Sequence, residues 1–259
     1  MRMMKKVLGT VTVLALSVSL LAGCGSTAAS PVSSAASTAA ESTTSSVVSE
    51  ATSAAADENA AAAAQLLNDL TGSYQELWPV ILADEYKQTW LDDCTALVGE
   101  DNAEAAFEKL SSMVTGDVYG EDAVKAYANG GGAYFCGFTN SLATLTFDGE
   151  TSIISGTDKD GNVLFSHTYH YIGMEPVHGL YEFESDDADS GEFTYFFLAP
   201  DTSAETYHIE FRYGSDADAL SQYDAGDYAY WVASGISTDC DQTMIDNCIE
   251  LFCTENLAG

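Results

Sequence analysis

The sequence predicts a mainly β protein of the α+β class: an antiparallel barrel framed by helices and shut by a last helix. Three observations lead there. Apolar residues recur at helical spacing in the first half of the chain, alternate at strand spacing from Leu142 to Tyr213, and return to helical spacing after Ser237. The alternating stretches are short, rich in β-branched and aromatic residues, and bounded by Gly, Asp and Pro. Asp148-Gly149 and Asp160-Gly161 between them are hairpin turn signals.

The helical half begins after residue 64, although the Ala-rich stretch near residue 60 already favours a helix. Ser73 and Glu76 have the spacing of a capping box ahead of Leu77, Trp78, Ile81 and Leu82. Asp101 and Glu104 repeat that spacing before Ala103, Ala106, Phe107, Leu110, Met113 and Val114. A short helix over residues 121–128 is expected to stop at Asn129-Gly130-Gly131-Gly132, where glycine tolerates the positive φ of a helix end.

Five strands follow: Leu142 to Phe147, Asn162 to Ile172, Gly179 to Glu184, Glu192 to Leu198 and Thr206 to Tyr213. Successive antiparallel strands must close on themselves or stack to protect their edges, and a barrel over residues 133–213 is the expectation. From Ser237 the period is helical again. Asp239 and Asp241 stand in the first turn and Met244, Ile245, Cys248, Ile249 and Phe252 lie on one side.

The chain ahead of this domain reads in two parts. Residues 1–23 look like a lipoprotein signal peptide: Arg2, Lys5 and Lys6, an apolar run from Val7 to Ala22, then Leu21-Ala22-Gly23-Cys24. Cys24 is the expected lipidation site. Residues 24–64 are Ser, Ala and Thr with hardly any large side chain, a composition too poor in apolar surface to offset its ordering entropy. They read as a flexible tether, with residues 65–259 as the folded domain. The expected location is extracytoplasmic, anchored to the cell membrane through Cys24.

Charge narrows the function. The chain carries 8 Lys and Arg against 40 Asp and Glu, a net −32, and −35 once residues 1–23 are removed. Nucleic-acid binding requires the opposite sign and is excluded as a partner class. Contact with an anionic membrane is expected only through the lipid. Cysteines 94, 136, 240, 248 and 253 include no Cys-x-x-Cys spacing, so no zinc ribbon or redox motif is indicated and their pairing stays open.

Motifs for chemistry are sparse. Asp158-Lys159-Asp160-Gly161-Asn162 starts like a calcium loop, but Val163 and Tyr169 stand where that loop needs Gly and Glu, and a hairpin turn accounts for it. The acids from Glu182 to Glu192 read as a solvated loop. No nucleophile elbow, phosphate loop or His-Glu-x-x-His is present, so the expectation is a binding protein and not an enzyme. Imidazoles are the natural metal donors. His167 and His170 are three apart on a strand and fall on opposite faces, His178 lies in a connection, and His208 shares a strand face with Glu210.

Taken in order, several segments resemble the ZinT (YodA) family. They are Gly72-Ser73-Tyr74-Gln75-Glu76-Leu77-Trp78-Pro79, Leu145 to Gly149, Ser166 to Gly173, Phe193 to Pro200, Tyr207-His208-Ile209, and Asp227 to Phe252. The resemblance spans about residues 65–253. It implies a lipocalin-like (calycin) barrel in an exported protein that binds zinc, or cadmium, as a metal chaperone or as an accessory to a metal-uptake ABC transporter. The family's three histidine ligands fall on Phe196, Thr206 and His208, so only His208 carries over as such. His178, Glu205 and Glu210 are the candidates to complete a rebuilt zinc site around it. The alternative is a metal-free binding lipoprotein for another small ligand or a surface partner.

Overall fold

A computed structural model describes residues 58–131, 134–200 and 208–258. The expected leader, Cys24, residues 25–57 of the expected tether, and Glu205 and Thr206 lie outside the described residues. Residues 58–64, expected as tether, belong instead to a helix in which Ala63 is fully buried.

Eight strands close into an antiparallel barrel in sequence order. They are β1 (Gly72–Glu76), β2 (Thr144–Asp148), β3 (Ile153–Thr157), β4 (Val163–Met174), β5 (Tyr181–Ser185), β6 (Tyr195–Leu198), β7 (His208–Gly214) and β8 (Ala233–Ser237). The ring shuts where β1 pairs with β8, Tyr74 opposite Ser237 and Glu76 opposite Gly235. The expected class is therefore found, with a wider extent: the barrel begins at residue 72 and not near 133.

Alternation explains the interior. Leu145 and Phe147, Ile154, Phe165 and Tyr169, Phe183, Phe196, and Ile209, Phe211 and Tyr213 all point inward and are buried. Eight-stranded barrels have room to be filled by side chains. This one is filled by aromatic rings, with Phe196 packed against Phe165, Tyr169, Phe211 and Tyr213 at centroid distances of 5.9, 5.4, 6.3 and 5.4 Å.

The helices are α1 (residues 58–69), α2 (Leu77–Ile81), α3 (Lys87–Val98), α4 (Glu100–Ser112), α5 (Glu121–Ala128), α6 (Ala217–Leu220) and α7 (Gln242–Leu257). A second core joins α2, α3, α4 and α7 to the outward face of Ile236 on β8, through Leu77, Ile81, Trp90, Leu110, Ile245 and Ile249. Asp241 caps α7, its carboxylate accepting from the Met244 N–H at 3.0 Å. Among the described residues no helix is long and apolar enough to cross a membrane.

Four local expectations are corrected. Ser73 and Glu76 form no capping box, because the segment is strand β1. The Ser73 hydroxyl meets that of Thr146 across the sheet at 2.8 Å, and the Glu76 carboxylate accepts from the Phe138 N–H at 2.6 Å. Helix α4 is capped by Gly99 at φ 84° without a side-chain bond, and not by Asp101. The strand expected from Glu192 begins at Tyr195, after a 3-10 turn over Gly191–Phe193. Strands β3 and β8 have no counterpart in the sequence reading.

Candidate metal centre

Outward positions on β7 are His208, Glu210 and Arg212, since Ile209, Phe211 and Tyr213 take the inside. His208 is buried at 4% exposure, opposite Ile236 of β8, with its ring 5.8 Å from that of Phe252 in α7. Glu210 stands opposite Ser234 on the same face. Two thiols lie within reach of its charge. Burial first, then the Glu210 carboxylate, push Cys136 and Cys248 up to about 12. At neutral pH and without metal both are therefore protonated thiols.

Arg212 is the buried cation of this face. Its guanidinium donates to the carbonyls of Leu220, Gln222 and Tyr228 and lies 4.2 Å from the Tyr223 ring centroid. This clamps the connection between β7 and β8 against the barrel wall. Tyr223 turns its ring to His178 at 3.8 Å, and His178 Nδ1 is 3.4 Å from the Glu175 carboxylate. Glu175 is fully buried and accepts from the N–H groups of Val177 and His178 at 2.9 and 2.5 Å. His178 is thus held by Glu175 and Tyr223 and does not join His208 and Glu210 in a three-ligand site. Among the described residues no group of three or more His, Cys, Asp and Glu side chains is placed to hold a metal. A zinc site needs three or four donors. His208 and Glu210 supply two on one face, and Glu205 lies outside the described residues.

Phe196 and His208, two positions that the family resemblance assigns to one ion, lie on opposite faces of the barrel wall. The other two histidines find carboxylates of their own. On β4, His167 Nδ1 is 2.7 Å from Asp187 and the exposed His170 Nδ1 is 2.8 Å from Asp186. The acidic loop is therefore tied to β4 through two imidazoles. Asp158 closes its own hairpin turn, accepting from the N–H groups of Asp160 and Asn162 at 2.9 Å each, as expected of a turn.

Sequence reading missed Glu175, Arg212 and Tyr223. Arg212 had a signal, a charge on the alternating strand Ile-Glu-Phe-Arg-Tyr; Glu175, ahead of Pro176 in a loop, had none.

No family model matches the chain, and no curated protein matches it. Among solved structures, the fold is similar to the Zn(II)-bound ZinT-like domain of AdcA from Streptococcus pneumoniae. The TM-score is 0.45 at 14% identity, over 71% of this chain and 89% of that one. Zn(II)-bound AdcA from the same organism gives 0.42 at 13% identity, over 72% of this chain and 35% of that one. The likeness is one of fold.

Proposed function

We propose that the chain is an extracytoplasmic lipoprotein, anchored through Cys24, that binds a divalent metal as cargo for an uptake system, with zinc as the metal and His208 as its principal ligand. The observation that carries this reading is the placement of His208 and Glu210 side by side on the outward face of β7. The strand begins immediately after residues 201–207, which contain Glu205. An imidazole and a carboxylate two positions apart on a strand share a face and suit zinc, which accepts both donor types. The closed barrel and its helices also agree with what the motif order implied.

The test is calorimetry on chelator-stripped protein at two ionic strengths. A built site gives about one zinc equivalent at sub-micromolar affinity, insensitive to salt and strongly weakened by His208→Ala. Diffuse binding to the net charge of −35 that remains after removal of residues 1–23 gives several weak equivalents that fade toward ~0.15 M salt, where the screening length is about 8 Å. That second outcome, unaffected by His208→Ala, rejects zinc. Partition of the full-length protein into the detergent phase, lost in Cys24→Ser, checks the anchor.

A second reading, a metal-free binding lipoprotein, is favoured by Phe196. Its ring fills the barrel interior where the family resemblance expects a ligand. The same calorimetry separates the two.

A further inference from the structure

Cys94 in α3 and Cys253 in α7 are both fully buried, and their sulfurs stand 3.8 Å apart across 159 positions of sequence. A disulfide needs about 2.05 Å, so the two sulfurs have less than 2 Å left to close. All five cysteines among the described residues are thiols in the structure.

The seam around this pair is under electrostatic load. Asp93, beside Cys94, is partly buried and near Glu250 and Asp246 of α7 and Asp92 of its own helix. Burial first, then these like charges, hold its carboxyl above the usual range. Carboxylates on both helices therefore push α3 and α7 apart at the rim, while Cys94 and Cys253 meet in the dry interior between them. Phe252, adjacent to Cys253, has its ring 5.8 Å from that of His208.

We propose that Cys94 and Cys253 form a disulfide that staples α3 to α7 when the chain meets an oxidising environment. The oxidant is a small-molecule or protein disulfide. One cysteine thiolate attacks a sulfur of that disulfide, forming a mixed disulfide and releasing one thiol. The second cysteine thiolate attacks the protein sulfur of the mixed disulfide, forming the Cys94–Cys253 bond and releasing the other thiol. Two protein thiols are oxidised, one disulfide is reduced to two thiols, and the two protons lost by the protein pass to those products. Burial raises both thiols above their usual range, so the exchange takes place while the seam is open, during folding or when α7 lifts. Once made, the bond is shielded from reductant by the same packing.

Peptide mapping decides it, on the full-length protein and without metal, so its outcome is separate from that of the zinc reading. The chain is refolded and equilibrated in a mixture of reduced and oxidised glutathione, alkylated, and digested without reductant. The expected product is one peptide pair joining Cys94 to Cys253. In thermal melts, reduction should lower the wild-type Tm by roughly 5–15 °C, given typical disulfide stabilisation and the size of the domain. Cys94→Ala, Cys253→Ala and the double variant should all melt near the reduced wild type and ignore reductant. Recovery of both cysteines alkylated in folded, oxidised protein overturns the proposal. So does linkage of either one to Cys136, Cys240 or Cys248. Variants whose losses add, and persist unchanged in reductant, would show packing alone and overturn it too. The peptide map on wild type stands even where a variant fails to fold.

Discussion

Two stretches of the barrel wall, β4–β5 and β7–β8, carry three of the four histidines, and they treat their outward residues differently. On the β4–β5 side the outward residues meet solvent: His170 pairs with Asp186 of a surface loop and Ile172 is 41% exposed. On the β7–β8 side, α7 lies over Ile236 and reaches His208 through Phe252, and the fully buried Arg212 donates through its terminal nitrogens to the carbonyls of Leu220, Gln222 and Tyr228. Under water an ionisable side chain can take a loose partner at little cost. Under a helix each one must be matched within the protein, because an unmatched buried charge is expensive. A metal donor on the covered side is consequently preorganised, whereas one on the open side competes with solvent and with its own carboxylates.

The contrast is open to direct attack. The largest effect is expected for Trp90→Ala on the covered side. Trp90 is fully buried, its indole donates to the Ile81 carbonyl at 2.7 Å, and it packs on Phe107. Chemical denaturation should show a loss of about 3–5 kcal/mol, against less than about 0.5 kcal/mol for Ile172→Ala on the open side. Comparable losses would mean that the two walls are not differently covered.

Phe196→His comes next. It restores a family ligand in sequence, but on the inner face, where the ring is surrounded by aromatics. A loss of about 2–3 kcal/mol is expected from burying an imidazole in place of phenyl, with no gain in zinc stoichiometry. Much tighter zinc binding at unchanged stoichiometry, lost again with His208→Ala, would place the inner face and His208 on one site and break the assignment.

The smallest effect concerns pH. The raised carboxyl of Asp93 means that the folded chain holds this proton more tightly than the unfolded chain. Its contribution is present at acidic pH, below the unfolded value, and is lost as pH rises through the folded value. Asp93→Asn should therefore stabilise at pH 7, by no more than about 0.5 kcal/mol for this partly exposed position, and make no difference near pH 3. Melts at the two pH values check both the sign and the window.

Some of this was legible in residues and some was not. The alternation of β7 placed His208 and Glu210 on one face directly from sequence. Which face is dry depends on where α7 docks, and that is a contact between segments far apart in the chain. Strand β8, Ala-Ser-Gly-Ile-Ser, has little strand propensity, and its small residues are there for fit: a side chain at Gly235 would stand 3.1 Å from Ile209 and 3.3 Å from Phe138. Ser73 and Glu76 imitate a helix cap because a capping box is only a spacing. The demand that β1 close the ring overrode it. Cys94 and Cys253, 159 positions apart, leave no local trace of their meeting.

Ring closure between Tyr74 and Ser237 has a consequence in time. A chain made from its N-terminus completes β1 early and receives β8 almost last. Until then β1 and β7 each offer a row of unpaired N–H and C=O groups to any passing strand. Cys94 waits in the same way, with Cys136 already present as a rival before residue 253 exists. The order in which residues emerge thus sets one clock for two events. Both the last seam of the barrel and the correct partner of Cys94 arrive with residues 233–253, and a nascent chain halted before them would hold open edges and a thiol free to pair wrongly.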